Sequence, residues 1–201
     1  MSFNVIKRLI PSISLFLFIP LTVMAGEPTE RIRAVSDKLI SILSDSTLLD
    51  PEMGQKREQM IMETVNSVFD WEEFSRRALA RHWAKRTDQE KREFVSLFGR
   101  LVKGAYMGKT MQYSDVSVQF TDEKIEGAYG RVLTNLITST GTQTPVEYRM
   151  IKKNGTWWVY DVYIEGVSLV NNYRSQFNSI LARSSYEELV KRLKKKVDER
   201  E

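Results

Sequence analysis

The chain has 201 residues, 42% hydrophobic and 28% charged, with a net charge of +4. That composition excludes disorder and low-complexity fibres, and the length allows one domain or two small ones. With no cysteine and one histidine, structural disulfides, thiolate nucleophiles, cysteine-ligated zinc or iron–sulfur sites and multi-histidine metal centres are excluded.

Residues 1–25 read as a secretory leader. Lys7 and Arg8 form a positive start, Leu9 to Met24 carries no charge, and Leu15-Phe16-Leu17-Phe18-Ile19 is the apolar centre. Val23-Met24-Ala25 suits a cut after Ala25. Pro11 and Pro20 interrupt the run, which falls short of the roughly 20 apolar residues of a membrane span. The leader carries two of the surplus positive charges, so residues 26–201, read as a single domain, are close to neutral. That is weak ground for binding nucleic acid.

Helical spacing comes first along the mature chain. Ile32, Val35, Leu39, Ile42 and Leu43 mark one helix. Asp50-Pro51 reads as a cap with proline at the first helical position, ahead of the stripe Ile61, Val65 and Val68. Asp70 with Glu73, and Thr87 with Glu90, are spaced as capping boxes. Phe94, Leu97, Phe98, Leu101 and Ala105 then lie on one face of a long helix.

From Val116 the period changes to two. Val116, Val118 and Phe120 alternate with polar residues, and residues 125–138 form a second strand-like run. Thr140-Gly141-Thr142 is a turn, and Val146, Tyr148 and Met150 alternate again. Asn154-Gly155 is the strongest hairpin signal. Trp157 to Ile164 is the last predicted strand, and alternation places Trp157, Val159 and Tyr163 on one face and Trp158, Tyr160, Val162 and Ile164 on the other. Ser168 starts a helix with Leu169, Tyr173, Phe177 and Ile180 inside. Ser184 and Ser185 cap a final one with Tyr186, Leu189, Val190, Leu193 and Val197 inside. The expected fold is α+β, a curved four-stranded antiparallel sheet with helices before and after it.

Few residues offer chemistry. His82 has no carboxylate or nucleophile that the sequence places beside it, so it reads as a surface or helix-end residue. Asp161, inside an apolar strand, is either a general base in a small cone-shaped α+β enzyme or one half of a structural ion pair with Arg149 or Arg174. The basic run Lys191-Arg192-Leu193-Lys194-Lys195-Lys196 is either a solvated helix face or a contact for anionic headgroups or an acidic partner. The last strand is bulky on both faces, which requires helices over both or an apolar non-protein occupant against one.

Two stretches resemble one family. Val68-Phe69-Asp70-Trp71-Glu72-Glu73-Phe74-Ser75-Arg76-Arg77-Ala78-Leu79, Trp83, Gln89 to Phe94, Phe98 and Tyr106 are similar to its helical half. Trp157 to Val170 with Asn172-Tyr173-Arg174-Ser175-Gln176-Phe177 is similar to its sheet-to-helix junction. The family is the MlaC, or toluene-tolerance auxiliary, family of periplasmic phospholipid carriers. Ala80 departs from the pattern, where the family usually has glycine, and this puts the local turn in question. The resemblance implies a periplasmic carrier without catalysis or cofactor. It would move diacyl phospholipid between an outer-membrane lipoprotein complex and an inner-membrane ABC transporter with an MCE-domain subunit, maintaining outer-membrane asymmetry. The acyl chains would lie in an apolar cavity between sheet and helices.

Wall positions chosen by alternation are Val118, Phe120, Val132, Leu136, Val146, Tyr148, Met150, Val159 and Val162, with Phe98, Leu101, Tyr106, Tyr173 and Phe177 from the helices. Each is equally at home in a plain core. Arg149, Asp161 and Arg174 are assigned to architecture, with Arg174 also a headgroup contact in reach of the mouth. The chain is expected to be monomeric. Besides the Asp161 enzyme, the competing reading is a periplasmic adaptor that binds only proteins, which predicts a solid interior and an exposed apolar patch. A carrier whose cavity empties is expected to be partly collapsed, because close packing is worth more than a void.

Overall fold

The computed structural model describes residues 26–110 and 116–199, with side chains described except at 106–110. The leader assigned to residues 1–25 and the side chain of Tyr106 lie outside the described residues. Helices α1 (Glu27–Ser44) and α2 (Gly54–Asn66) are joined through two 3-10 turns, Ser46–Leu48 and Pro51–Met53. Asp50 caps the second turn, accepting from the Glu52 N–H at 2.9 Å, rather than capping α2 itself. The facing residues Ile42, Leu43, Leu48 and Ile61 form a small apolar cluster of their own.

Helix α3 (Trp71–Leu79) is capped by Asp70, which accepts from the Glu73 N–H at 2.9 Å. The other half of that capping box does not form. The Asp70 N–H already donates to the Val159 carbonyl at 2.9 Å, so the Glu73 carboxylate is released for other partners. The box on α4 (Asp88–Thr110) is complete, with Thr87 N–H to Glu90 at 2.7 Å and Glu90 N–H to Thr87 at 3.2 Å.

Strands β1 (Val116–Glu126), β2 (Tyr129–Thr138), β3 (Gln143–Lys153) and β4 (Thr156–Ile164) pair antiparallel in sequence order. A two-residue fifth strand, β5 (Val167–Ser168), turns back on β4. It is too short to show alternation, so the expected four strands become five. Asn154 (φ 50) and Gly155 (φ 81) take the positive angles of the expected hairpin turn, and Glu165 and Gly166 repeat that geometry before β5. Helices α5 (Leu169–Leu181) and α6 (Tyr186–Asp198) follow, capped by Ser168 and Ser185. Among the described residues the architecture is α+β, with six α-helices and a curved, unclosed antiparallel sheet.

Two bulges set which side chains face the helices. One lies at Thr121 of β1, between Phe120 and Asp122, and one at Tyr160 of β4, where Arg149 and Met150 face Asp161 and Val159. A bulge shifts the facing of every later residue by one. Strict alternation along β4 therefore fails: Trp157, Val159, Val162 and Ile164 share the helix-facing side, and Tyr163 moves to the other. The far side is covered largely by guanidinium groups, with Arg77 3.9 Å from the Tyr160 ring centroid, Arg149 5.1 Å from Tyr163 and Arg31 5.9 Å from Trp158. This answers the question raised by a strand bulky on both faces. Gly130 of β2 is where α1 meets the sheet. A β-carbon there would stand 3.0 Å from the Trp157 ring and 3.3 Å from Pro28, so the close approach favours glycine.

Candidate functional site

The pairing register collects the predicted wall residues on one face. Val118 opposes Leu136, Phe120 opposes Thr134, and Val132 opposes Tyr148. Tyr148 opposes Val162, and Met150 opposes Val159. Phe98, Leu101, Val132, Val146, Met150, Val159, Val162 and Phe177 are buried in one core. Phe120, Leu136, Tyr148 and Tyr173 are half-buried against it, and Val118 is half-buried at its β1 margin. Burial pushes the Tyr148 hydroxyl up to about 12, only partly offset by its bond to Thr134, so it stays a neutral donor.

The helical side of this layer is aromatic. Phe98 stacks on Phe74 at 5.2 Å and meets Tyr173 and Phe177 edge-on at 4.9 and 5.1 Å. These rings fill the helical side of the layer at its centre. A dry void of ~500 Å³ would cost about 12 kcal/mol, which is the whole stability of a typical domain. The apolar layer reaches the surface at a groove of about 250 Å³, lined by Leu101 of α4, by Tyr173, Gln176, Phe177 and Ile180 of α5, and by Leu189 and Leu193 of α6. Arg192, Lys195, Lys196 and Glu199 also line it and are exposed. Drug-sized ligands occupy roughly 300–1,000 Å³, so two acyl chains need a wider opening. Among the described residues, the apolar layer is packed at its centre and opens at this groove.

Leu101, Tyr173 and Phe177 were anticipated as wall residues. Ile180, Leu189 and Leu193 were not, while the cations beside them belong to the basic run read as a solvated face or a contact for anionic headgroups or an acidic partner. The signal was present: the last helix carries its basic run beside an apolar stripe, but nothing in one helix says which neighbour leaves a gap.

The polar candidates are occupied structurally. One Asp161 oxygen accepts from the Val162 and Val170 N–H groups at 2.9 and 3.0 Å, and the other from the Ser168 hydroxyl at 2.6 Å. Neither arginine bonds it directly. Arg149 pairs with Glu147, and Arg174 donates to the Arg77 carbonyl at 3.0 Å. The expected ion pair is thus replaced by a hydroxyl and two amides that tie β4 to the start of α5. Burial raises the Asp161 carboxyl above its ordinary value, opposed by those three bonds. Both oxygens are thus engaged in holding the junction, and the residue also lines a small open pocket with Arg77, Arg149, Tyr160 and Arg174. His82 is half-buried, its Nε2 3.0 Å from Asn178 Oδ1.

A second polar cluster was not anticipated. Glu73 receives Arg76 at 2.6 Å and Arg77 at 2.7 Å, with Lys153 at 3.7 Å; Lys153 also bonds Asp70 at 2.6 Å. Burial works to raise the Glu73 carboxyl, but the two arginines outweigh it and hold it at about 2. The cluster ties α3 to β3.

The sequence model of the MlaC protein family matches residues 33–195. The intermembrane phospholipid transport system binding protein MlaC of Haemophilus influenzae is 29% identical over 115 residues. That match covers 54% of this chain and spans about half, 54%, of the relative's length. The solved structure of a phospholipid-binding protein from Ralstonia solanacearum, in complex with a phospholipid, superposes with a TM-score of 0.79 at 19% identity. It covers 87% of this chain and 98% of that one and shows the shared fold.

Proposed function

We propose that this chain, which belongs to the MlaC family, carries diacyl phospholipid through the periplasm. The observation that supports it most is the continuous apolar layer between sheet and helices that comes to the surface at the α4–α5–α6 groove. The chain would be released from its leader after Ala25. It would pass lipid as a monomer between an outer-membrane lipoprotein complex and an inner-membrane ABC transporter with an MCE-domain subunit, so maintaining outer-membrane asymmetry. The named function of the Haemophilus relative supports this reading.

The energetics define the task. A lipid with about thirty methylenes, at about 0.8 kcal/mol each, resists leaving a bilayer by roughly 20 kcal/mol. A carrier must match that with apolar contacts and needs no reactive group. Its affinity has only to be comparable with the bilayer's, so that loading and unloading both proceed. Entry of acyl chains would part α6 and α5 from the packed layer and exchange protein–protein contacts for protein–lipid ones of similar worth. Val118, Phe120, Leu136, Tyr148 and Tyr173 are the wall positions that rearrange with least loss, being only half-buried. No cofactor or catalytic step enters this scheme.

The test is extraction. Protein purified from membrane-containing cells, or equilibrated with vesicles, should yield stoichiometric phospholipid by mass spectrometry. Val146→Glu or Leu136→Arg should abolish loading while helical circular dichroism persists. A protein that neither carries lipid nor loads it removes the carrier reading.

A further inference from the structure

The groove is apolar inside and cationic at its edge. Arg192, Lys195 and Lys196 are set against a single acid, Glu199, among its lining residues. Arg192 is held by Glu188 at 2.8 Å and Lys195 by Glu199 at 3.7 Å, both in exposed pairs, while Lys196 has no ion-pair partner among the described residues. Exposed pairs of this kind contribute little and exchange readily. A phosphate at the edge therefore finds up to three cations within one and a half turns of α6, directly above Leu189 and Leu193.

We infer that the carrier, if the lipid-carrying reading holds, selects phospholipids with a net negative headgroup over zwitterionic ones, through Arg192, Lys195 and Lys196 of α6. A zwitterionic head brings its own ammonium, which cancels the phosphate and meets Lys195 and Lys196 with like charge. An anionic head with a glycerol substituent brings the phosphate alone. The acyl chain enters among Leu101, Phe177 and Leu193, and the phosphate stays in water-accessible contact with the cations. The selection is consequently modest and weakened by salt.

The experiment equilibrates the purified full-length protein with vesicles holding equal phosphatidylglycerol and phosphatidylcholine of identical acyl chains. The protein is re-isolated and its extracted lipids are counted. At low salt the bound ratio should favour phosphatidylglycerol about fivefold, the scale of one exposed ion pair. In the double variant Lys195→Glu/Lys196→Glu the ratio should fall to parity or below, and ~0.5 M salt should reduce it in the original protein. A bound ratio equal to the vesicle ratio overturns the inference while leaving the carrier reading intact. So does enrichment that survives the double variant, or a variant that loses total load at a constant ratio, which would mark the lysines as a docking surface. Absence of any loaded lipid overturns the carrier reading and the selectivity with it.

Discussion

Helices α3 and α6 both lie on the main core, but they are fastened differently. α3 is tied at its start by backbone bonds between Val68–Asp70 and Val159, and along its length by Glu73, Arg77 and Lys153, with Glu73 buried. α6 rests on an apolar stripe of Leu189, Leu193 and Val197. Its polar ties are the Tyr186 hydroxyl to the Glu90 carbonyl at 3.0 Å and the exposed pair Lys194–Glu93 at 2.8 Å. An apolar stripe slides or lifts at a cost proportional to area, whereas moving the buried Glu73 away from its partly exposed cations leaves a carboxylate uncompensated. The difference supports α6, rather than α3, as the helix that parts in the proposed loading step.

The largest expected effect comes from removing the aromatic centre on which α3, α4 and α5 meet. Phe98 is fully buried and touches Phe74, Phe94, Tyr173 and Phe177. Phe98→Ala should cost about 3–5 kcal/mol in denaturant unfolding. If instead it unfolds only α5 and α6, leaving the sheet cooperative, the two regions are separate units.

Cross-linking tests the assignment of motion. The chain has no cysteine, so introduced pairs react cleanly. A short bismaleimide across Glu93→Cys/Lys194→Cys should slow lipid loading at least tenfold, and the same linker across Asp70→Cys/Lys153→Cys should leave it unchanged. Equal inhibition by both would remove the distinction between the helices.

Glu73→Gln probes the rigid side alone. It should cost about 1–2 kcal/mol, discounted because Arg76 and Arg77 regain solvent. Its pH signature is specific. The folded carboxyl is held near 2 against an ordinary 4.5, so its contribution is full above about 4.5 and lost as pH falls from there towards 2. The variant should lack that acid-side slope in urea midpoints measured between those limits. A slope that persists would mean another carboxylate carries it.

How much of this was legible follows from where the determinants lie. Caps, the Asn154-Gly155 hairpin and the helical stripes are local, and sequence spacing placed them to within a turn. The facing of Val162 and Tyr163 was not, because the bulge at Tyr160 has no residue signature and reverses every side chain after it. Asp161 was recognised as a buried carboxylate, yet its partners came from β5 and α5, elements created by a turn at Glu165-Gly166 that a two-residue strand does not announce. The strand wall residues were chosen by alternation and share one face. The groove, by contrast, arises from three helices meeting, and no single stretch of sequence records a gap between neighbours.

The smallest expected effect concerns the end of α3. Ala80 closes the helix at φ 50, ψ −124, a backbone region that disfavours a β-carbon, and its N–H still reaches the Arg76 carbonyl. The turn is thus kept by alanine despite its positive φ. Ala80→Gly relieves the steric strain but gives the unfolded chain more freedom, and at a positive φ the first term exceeds the second. The variant should gain about 0.5–1 kcal/mol in urea unfolding with lipid loading unchanged. A loss of stability would mean that the Ala80 methyl packs more favourably than its backbone angle costs, and that the fastening of α3 extends one residue further than its ion pairs.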